Sequence, residues 1–469
     1  MLGLLFSGCK QCQDYDPPLM DIPDYWSSEV PKGLHNCSIE GFIWWQSLKD
    51  PILDSLIEQA KCQNLDLYMA AMRILQAREV IQGDKGSHLP HIDGTISDNY
   101  VRFNQKTLNR ILDSHSDRSV RQFNLFEAGF DAEWEIDLFG VNANKLKSLQ
   151  NLAEASEEDF RQIELTLVAE VVRNYVELRG GQLKLQLMDK QIELQKELCT
   201  LISGLVYAGF MGDGEDKKAQ EQLQLLLAKK PEVELSIKKS IHRLSVLLGY
   251  SPNVLYAELL KIRPLPKLPY QTPIGVPSEL LRYRPDIRKA EKELASSLAL
   301  VDSSIAELFP RLSLKGFLGD FSVLGSNSFT VFAGPQLFLP LFNSKLITQS
   351  IEINKAKAKE ACYGYQKTVL EALEEVENGL SAFNAEWKKR EYFSQALKSG
   401  SEAFTSTSQL YEQGFKDFRQ VLESHQNLLD LQNIYLQNQM DMLLRYIALY
   451  KSLGGGWDEQ WCQEIDPST

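Results

Sequence analysis

The 469-residue chain has long stretches without a helix breaker. No proline occurs between Pro90 and Pro231, and none occurs between Pro340 and Pro467. Proline removes a backbone hydrogen bond and clashes with the preceding turn, so these gaps permit helices far longer than the usual three or four turns. The sequence therefore favours very long helices over compact α/β units.

The chain also lacks a long apolar run and an excess of positive charge. No apolar run approaches the roughly 18 residues that a membrane-spanning helix needs, so any crossing of a bilayer must use strands. Lys and Arg number 50 against 63 Asp and Glu, which gives a net charge of -13, and no basic stripe is present. This charge argues against nucleic acid as a partner, because phosphates need clustered Lys and Arg.

Catalytic motifs are missing as well. There is no Walker lysine loop and no G-x-S-x-G elbow. The segment Gly209-Phe-Met-Gly212-Asp-Gly214 lacks the dinucleotide spacing and follows a helix, so it indicates a turn rather than a phosphate loop. His88 and His91 flank Pro90 at a helix-to-strand junction and favour a structural role over metal binding. We therefore expect no enzyme activity, no catalytic residue, no cofactor and no metal.

The seven cysteines do not form a metal-ligand pattern. They are residues 9, 12, 37, 62, 199, 362 and 462. Cys9-Lys-Gln-Cys12 has the CxxC form without the βαβ context of a redox site. Met1 to Gly8 is an apolar stub that ends in small residues, as a bacterial lipoprotein signal does before the acylated cysteine. We expect lipidation at Cys9, with a plain unstructured N-terminus as the alternative.

The strongest helical pattern follows Gly140. Apolar residues and cysteine occupy nine of twelve positions at four-three spacing: Leu167, Val171, Asn174, Leu178, Gly181, Leu185, Met188, Ile192, Gln195, Cys199, Ile202 and Val206. Such spacing is typical of a coiled-coil seam. A second apolar line at Leu165, Val168, Val172 and Tyr175 needs another neighbour, which a closed ring of helices supplies. The helix from Gly140 to about Val206 would be about 100 Å long, and a second from Asn343 to about Leu410 would match it.

Each long helix is followed by a turn and a returning helix. The turns are Tyr207-Ala-Gly-Phe210 and Tyr411-Glu-Gln-Gly-Phe415, in which glycine is the expected left-handed cap. The returning helices are predicted at Glu215 to Leu248, with a kink or break at Pro231, and at Phe418 to Leu453. Both pairs should form antiparallel hairpins.

Alternating segments predict strands between the helices. Phe126, Ala128, Phe130, Ala132 and Trp134 alternate with polar residues in 122–134, and 311–318 shows the same pattern; 91–103 and 328–339 alternate more weakly. About ten alternating residues can cross a membrane as a tilted barrel strand; a half-buried sheet of a soluble protein is the alternative. Because four strands cannot close a barrel, we expect three chains to share a twelve-stranded one.

The chain also contains an internal repeat. Asn64-Leu-Asp-Leu67 with Ala70 leads to Pro90, and Arg284-Pro-Asp-Ile287 with Ala290 leads to Pro310, 220 positions later. We divide the chain into an N-terminal signal remnant and extended arm (1–50), a first repeat (51–263), a proline-rich linker and equatorial segment (264–284), a second repeat (285–454) and a C-terminal tail (455–469). The predicted fold is mainly α with a membrane β-barrel.

With these motifs the chain resembles the TolC-like outer membrane efflux proteins, and among them the NodT-type lipoproteins that serve RND pumps. The residues that carry the resemblance are Trp44-Trp45 with Asp50-Pro51 and Leu53, Asn64-Leu-Asp-Leu67, Trp134-Glu-Ile-Asp-Leu-Phe-Gly140, Leu281-Arg-Tyr-Arg-Pro-Asp286 with Ala290, Phe309-Pro310 and Pro340-Leu-Phe342. The resemblance implies a homotrimeric exit duct with a β-barrel in outer membrane lipid and an α-helical barrel across the periplasm. It also implies a periplasmic adaptor and an inner-membrane pump, of RND type, as partners.

The resemblance places the periplasmic gate after the second turn, where acidic residues ring the closed mouth. Glu423 is at one acidic position, and Gln420 occupies the other. Asp417, or Glu215 and Asp216 at the first turn, could supply charge in its place. The alternative is that these are solvated charges at helix ends.

The exposed ends of the hairpins are the expected contacts of the adaptor. They contain Gly209, Gly212, Glu215, Asp216, Gly414 and Lys416, although the glycines can also serve only as helix caps. The competing function is a soluble coiled-coil scaffold without a pore, which does not explain why paired alternating segments recur in both halves.

Overall fold

A computed structural model describes residues 20–31, 33–35, 37–38, 42–102, 122–269, 272–323, 326–341 and 344–455. The predicted lipidation site Cys9, the expected helix start at Asn343 and all but the first residue of the 455–469 tail lie outside the described residues.

The described chain is mainly helical, with short strands between long helices. In chain order the elements are β1 (Leu34–His35), α1 (Pro51–Gln63), α2 (Leu65–Ser87), β2 (His91–Arg102), β3 (Gln122–Ile136), α3 (Val141–Tyr207), α4 (Asp213–Leu247), α5 (Tyr256–Leu259), β4 (Thr272–Pro273), α6 (Leu280–Tyr283), α7 (Pro285–Ala306), β5 (Arg311–Val323), β6 (Ser326–Phe338), α8 (Ser344–Glu412) and α9 (Phe418–Leu453). Short 3-10 turns occupy Gln46–Leu48 and Pro277–Glu279.

The two long helices are confirmed. Helix α3 has 67 residues and α8 has 69, so each is about 100 Å long. The predicted seam of α3 is buried at Leu167, Val171, Leu178, Met188 and Ile192. The second apolar line is buried too, at Leu165, Val168, Val172 and Tyr175. The helix thus packs on two sides, as its two apolar lines predict.

One helix boundary differs from the prediction. At Pro231 the sequence predicts a kink or a break, and the break is wrong, because α4 runs through Pro231 as one helix. Pro231 is exposed, while Val233 and Ile237 in the turns that follow it are buried, so packing holds the helix beyond the proline. Helices α1 and α2 are separated at Asn64, whose backbone is extended and whose Oδ1 accepts hydrogen bonds from the N–H groups of Asp66 and Leu67. This side chain caps the start of α2.

The chain divides into two compact units. Among the described residues, the first unit comprises those of Ile74–Ala155 and Ala290–Tyr365, and the second those of Leu19–Arg73, Ser156–Lys289 and Gln366–Thr469.

The first unit contains a four-stranded antiparallel sheet in the order β2-β3-β5-β6. Its register pairs Phe130 with Gly94 on one side and with Leu318 on the other. One face carries exposed apolar side chains at Ile92, Ile96, Tyr100, Phe126, Phe130, Trp134, Leu314, Leu318, Phe329, Val331 and Leu337. The other face includes polar pairs, such as Lys315 Nζ with Glu133 Oε1 at 3.2 Å. The four predicted strands are confirmed.

Helices α3, α4, α8 and α9 pack side by side in the second unit. The Gln195 amide donates to the carbonyl of Ala219 at 3.0 Å, and Gln191 donates to Asp430 at 2.7 Å, which joins α3 to α4 and to α9. The Asn438 amide donates to Glu386 Oε2 at 2.9 Å, which joins α9 to α8. The helices therefore lie in the order α4-α3-α9-α8.

Aromatic residues form the core where the N-terminal arm meets these helices. Trp44 stacks on Tyr450 with ring centroids 6.1 Å apart, and Trp45 lies edge-on to Trp44. The hydroxyl of Tyr175 donates to Asp50 Oδ2 at 2.8 Å, and burial raises the pKa of Tyr175 to about 12. Asp50 also caps α1. These contacts fix the start of α1 against the middle of α3.

Among the described residues, no helix combines the length and the apolar character required to cross a membrane.

Candidate functional site at the hairpin tips

The first tip, residues 207–213, reverses the chain between α3 and α4. Gly209 adopts a positive φ of 78°, and the N–H of Phe210 donates to the carbonyl of Leu205 at 2.9 Å. This is the glycine cap that the sequence predicts. Gly212 has an extended backbone as the N-cap of α4 and does not need glycine for its conformation.

The second tip, residues 412–418, repeats this geometry between α8 and α9. Gly414 has a φ of 80°, and the N–H of Phe415 donates to the carbonyl of Leu410 at 2.8 Å. Asp417 is the N-cap of α9, where its Oδ1 accepts the N–H of Gln420 at 2.9 Å. The turn therefore holds Asp417 and Gln420 together through the helix cap.

The remaining predicted charges are solvent-accessible, and several are paired. Glu423 is 55% exposed and its Oε1 lies 3.6 Å from Arg419 Nε, one turn back on the same helix. Glu215 pairs with Lys218 at 3.3 Å. Asp216 accepts hydrogen bonds from Ser203 and from Gln220. The partner Arg419 was missed from the sequence, although its i,i+4 spacing to Glu423 predicts the contact.

Both tips expose aromatic side chains, which lie within the predicted contact segments, Tyr207 to Asp216 and Tyr411 to Phe418, but were not singled out there. Tyr207 is 96% exposed, Phe210 is 79% exposed and Phe415 is 77% exposed. Tyr411 and Phe418 contact each other across the second tip with centroids 5.5 Å apart. The signal was present in the aromatic residues on either side of each turn glycine. Large exposed apolar groups that cluster in this way mark contact surfaces.

A small apolar core anchors the tips. Leu422 and Leu429 of α9 are buried together with Leu194 of α3, and Leu198 and Leu201 pack against them. Burial also raises the pKa of Cys199, which lies on the same stretch of α3. No atom lies within 4 Å of a Cβ added at Gly209, Gly212 or Gly414. The backbone of the tips is thus open to solvent, and the helices behind the tips are packed on this apolar core.

The described residues do not contain a group of three or more His, Cys, Asp or Glu side chains that could hold a metal ion. His88 instead lies 3.3 Å from the Asp84 carboxylate on the last turns of α2, beside an ion pair of Asp84 with Lys145 at 2.9 Å.

Comparison with known proteins places this architecture in one family. The sequence matches the outer membrane efflux protein family over residues 56–250 and 276–455. It is 27% identical to Nodulation protein T of Rhizobium leguminosarum bv. trifolii over 97% of this chain and 96% of that protein. It is 30% identical to the pyoverdine export outer membrane protein OpmQ of Pseudomonas putida (strain KT2440), over 95% of each chain.

A solved structure supports the same assignment. The outer-membrane channel OprN matches with a TM-score of 0.82 and 30% identity, over 95% of this chain and 98% of that one. The matches span helices and strands alike and lend no support to a soluble scaffold. The chain therefore belongs to the outer membrane efflux protein family and is an outer membrane channel protein.

Proposed function

We propose that three copies of this chain form the exit duct of a tripartite efflux system, which passively conducts small molecules from an adaptor and an inner-membrane pump to the outside. The observation that carries the proposal is the open sheet of the first unit. Strands β2 and β6 are its edges, and among the described residues each forms a ladder with one neighbour only. An unpaired edge in hydrocarbon costs several kcal/mol per backbone group, so the edges need a second copy.

Three copies would close twelve strands into a barrel with the apolar face toward outer membrane lipid. The two repeats, 51–263 and 285–454, would each contribute one strand pair and one helical hairpin. The helical hairpins of three copies would form the tube of the duct. A lipid at Cys9 would add a second anchor to the same membrane.

The partner pump is proposed to be of RND type, with its adaptor bound at the tips. The RND assignment rests on the resemblance to the NodT-type proteins and on the similarity to Nodulation protein T. Docking is supported by the exposed Tyr207, Phe210 and Phe415 and by the open space around Gly209, Gly212 and Gly414. Lys416, which is partly exposed, follows Phe415 in the second tip. Aromatic anchors contribute strongly to protein interfaces. Glu215 and Asp216 would form part of the polar rim.

The gate is proposed to lie at the start of α9. Three copies of Glu423 around one axis would favour cations and repel anions. Gln420 would line the same constriction without charge. Asp417 would add its charge from a fixed position, because its carboxylate caps the start of α9.

Membrane fractionation tests the duct. The expected result is an outer membrane protein that runs on non-boiled gels at about three times the 53.3 kDa of one chain, and as one chain after boiling. A cytosolic dimer would instead support a scaffold.

A further inference from the structure

A cleft of about 500 Å³ lies in the second unit, away from the tips. Its walls come from α3, from the start of α7 and from facing turns of α8 and α9. This volume is within the range of small-molecule sites, which typically measure about 300–1,000 Å³. The charges in the cleft determine what it can bind.

One cation of the cleft, Arg284, is buried and paired with carboxylates. The Arg284 side chain is 8% exposed. Its guanidinium binds Asp286 in a two-pronged pair, with Nε to Oδ1 at 3.0 Å and Nη2 to Oδ2 at 2.6 Å. Its Nη1 also donates to Glu375 Oε2 at 2.8 Å and to the carbonyl of Ser452 at 2.7 Å. Burial lowers the pKa of Arg284, but the two carboxylates outweigh this effect and raise it.

Arg284 offsets part of the negative charge of the cleft and holds both carboxylates in place. Asp286 and Glu375 are the two carboxylates in the lining, and both bind this guanidinium. The Ser452 carbonyl belongs to the last turn of α9, so Arg284 also offsets the negative end of that helix dipole. With Arg445 and Lys451 the lining carries three cations against these two carboxylates, so an incoming anion meets a net charge of one positive unit.

Two further cations line the cleft with their charges unpaired. Arg445 and Lys451 are exposed, and within the part of the chain that the structure describes neither forms an ion pair. They stand out in a chain with a net charge of -13. Gln162 and Asn378 add amide donors, and Leu165, Ala382 and Ala448 add apolar surface. The cleft therefore combines free positive charge, amide donors and a small apolar floor.

We propose that this cleft binds a small organic anion, with a carboxylate or phosphate group on Arg445 and Lys451 and an apolar part against Leu165, Ala382 and Ala448. The Arg445 guanidinium can form two parallel hydrogen bonds with such a group, and Lys451 supplies a point charge. The site is lined by residues of one chain, so a failure of binding and a failure of the proposed duct are separate results.

Equilibrium dialysis of the full-length protein in detergent tests the proposal with two probes of matched shape, 2-naphthoate and 2-naphthylmethylammonium. The wild type should bind the anion at least roughly tenfold more tightly than the cation, because charge-assisted hydrogen bonds form with the anion alone. Arg445→Gln/Lys451→Gln should lose this preference. The matched control Lys190→Gln/Lys196→Gln removes two exposed lysines of α3 outside the cleft and should keep it.

A second measurement does not depend on removing charge. The variant Ala448→Cys places a thiol in the lining, and 2-naphthoate should slow its reaction with a maleimide, measured at that residue by mass spectrometry. The proposal is overturned if the wild type binds neither probe or both alike, if the control double variant loses binding as much as the cleft variant, or if naphthoate leaves the labelling rate at Ala448→Cys unchanged. A neighbouring copy that fills the cleft would give the first of these results.

Discussion

At the second tip, the carboxylate of Glu423 lies beside the guanidinium of Arg419. The two are 3.6 Å apart and both reach solvent, so the pair contributes little to stability. The pair matters for the local electric field, because Arg419 offsets part of the negative charge of Glu423. Either one, removed alone, leaves the other uncompensated.

The gate proposal predicts opposite effects for these two residues. In planar bilayers, Glu423→Gln should shift selectivity toward anions, because it leaves three uncompensated Arg419 side chains per trimer, whereas Arg419→Gln should increase cation selectivity. Reversal potentials in a salt gradient measure both. The control Glu402→Gln removes an exposed carboxylate of α8 and should change neither. Unchanged reversal potentials in both tip variants would place the constriction elsewhere.

Some single residues could be assigned from the sequence and others could not, because the spacing of residues along the chain indicates only contacts between neighbours in sequence. The turn glycines at 209 and 414 were recognisable, since a left-handed cap is a local requirement. The cap made by Asp417 to Gln420 was recognisable too, because an Asp just before a helix is a local N-cap pattern. The cleft could not be predicted: Arg284, Glu375 and Lys451 are far apart in the chain, and only tertiary packing brings them together.

At the scale of elements, three aromatic side chains of the tips, those of Tyr207, Phe210 and Phe415, are exposed and do not close the turns. Tyr207 is 96% exposed and the turn closes through backbone hydrogen bonds. Apolar groups on a monomer surface are normally scattered, whereas Tyr207, Phe210 and Phe415 lie on the turns of hairpins. Their removal should therefore leave the fold intact.

Docking predicts a specific loss when these side chains are changed. Tyr207→Ser/Phe210→Ser should reduce cross-linking of a cysteine at Gly212 to a co-expressed adaptor by roughly tenfold, or about 1.4 kcal/mol, with Phe415→Ser acting likewise on a cysteine at Lys416. The control Tyr392→Ser removes an aromatic side chain that is 72% exposed on α8 outside the tips and should leave cross-linking at the wild-type level. Equal losses in the control and the tip variants would contradict docking at the tips.

Helices and strands were easier to predict than their boundaries. The four-three spacing along α3 and the alternation in β3 each extend over many residues, so the period is unambiguous. Boundaries depend on one or two residues and on packing. Proline at 231 indicates a break locally, but buried Val233 and Ile237 hold α4 together. The spacing of apolar residues gives no signal of a boundary at Asn64, yet the Asn64 side chain caps α2 and so separates it from α1.

At the scale of the whole molecule, assembly is the part of the proposal that a single chain cannot complete. The sheet has two edges, β2 and β6, and its exposed apolar face suits a membrane. In an antiparallel strand, the backbone groups of successive residues point to opposite sides. One of any two neighbouring residues in β2 therefore faces β3, and the other faces the edge.

This alternation makes Ser97→Pro and Asp98→Pro a matched pair of variants. One removes an N–H that bonds to β3 within the chain, and the other removes an N–H that can bond only to another copy. If the edges pair between chains in a membrane, each variant leaves a carbonyl unpaired in all three copies, at several kcal/mol per group. Both should then reduce the heat-resistant trimer on non-boiled gels by similar amounts. If the sheet had free edges in its working state, the variant at the outward-facing position would assemble like the wild type, since an edge strand tolerates proline there. The outward-facing variant is therefore the decisive one: its assembly at the wild-type level would contradict interchain pairing, and the inward-facing variant measures what one missing ladder hydrogen bond costs at the adjacent position.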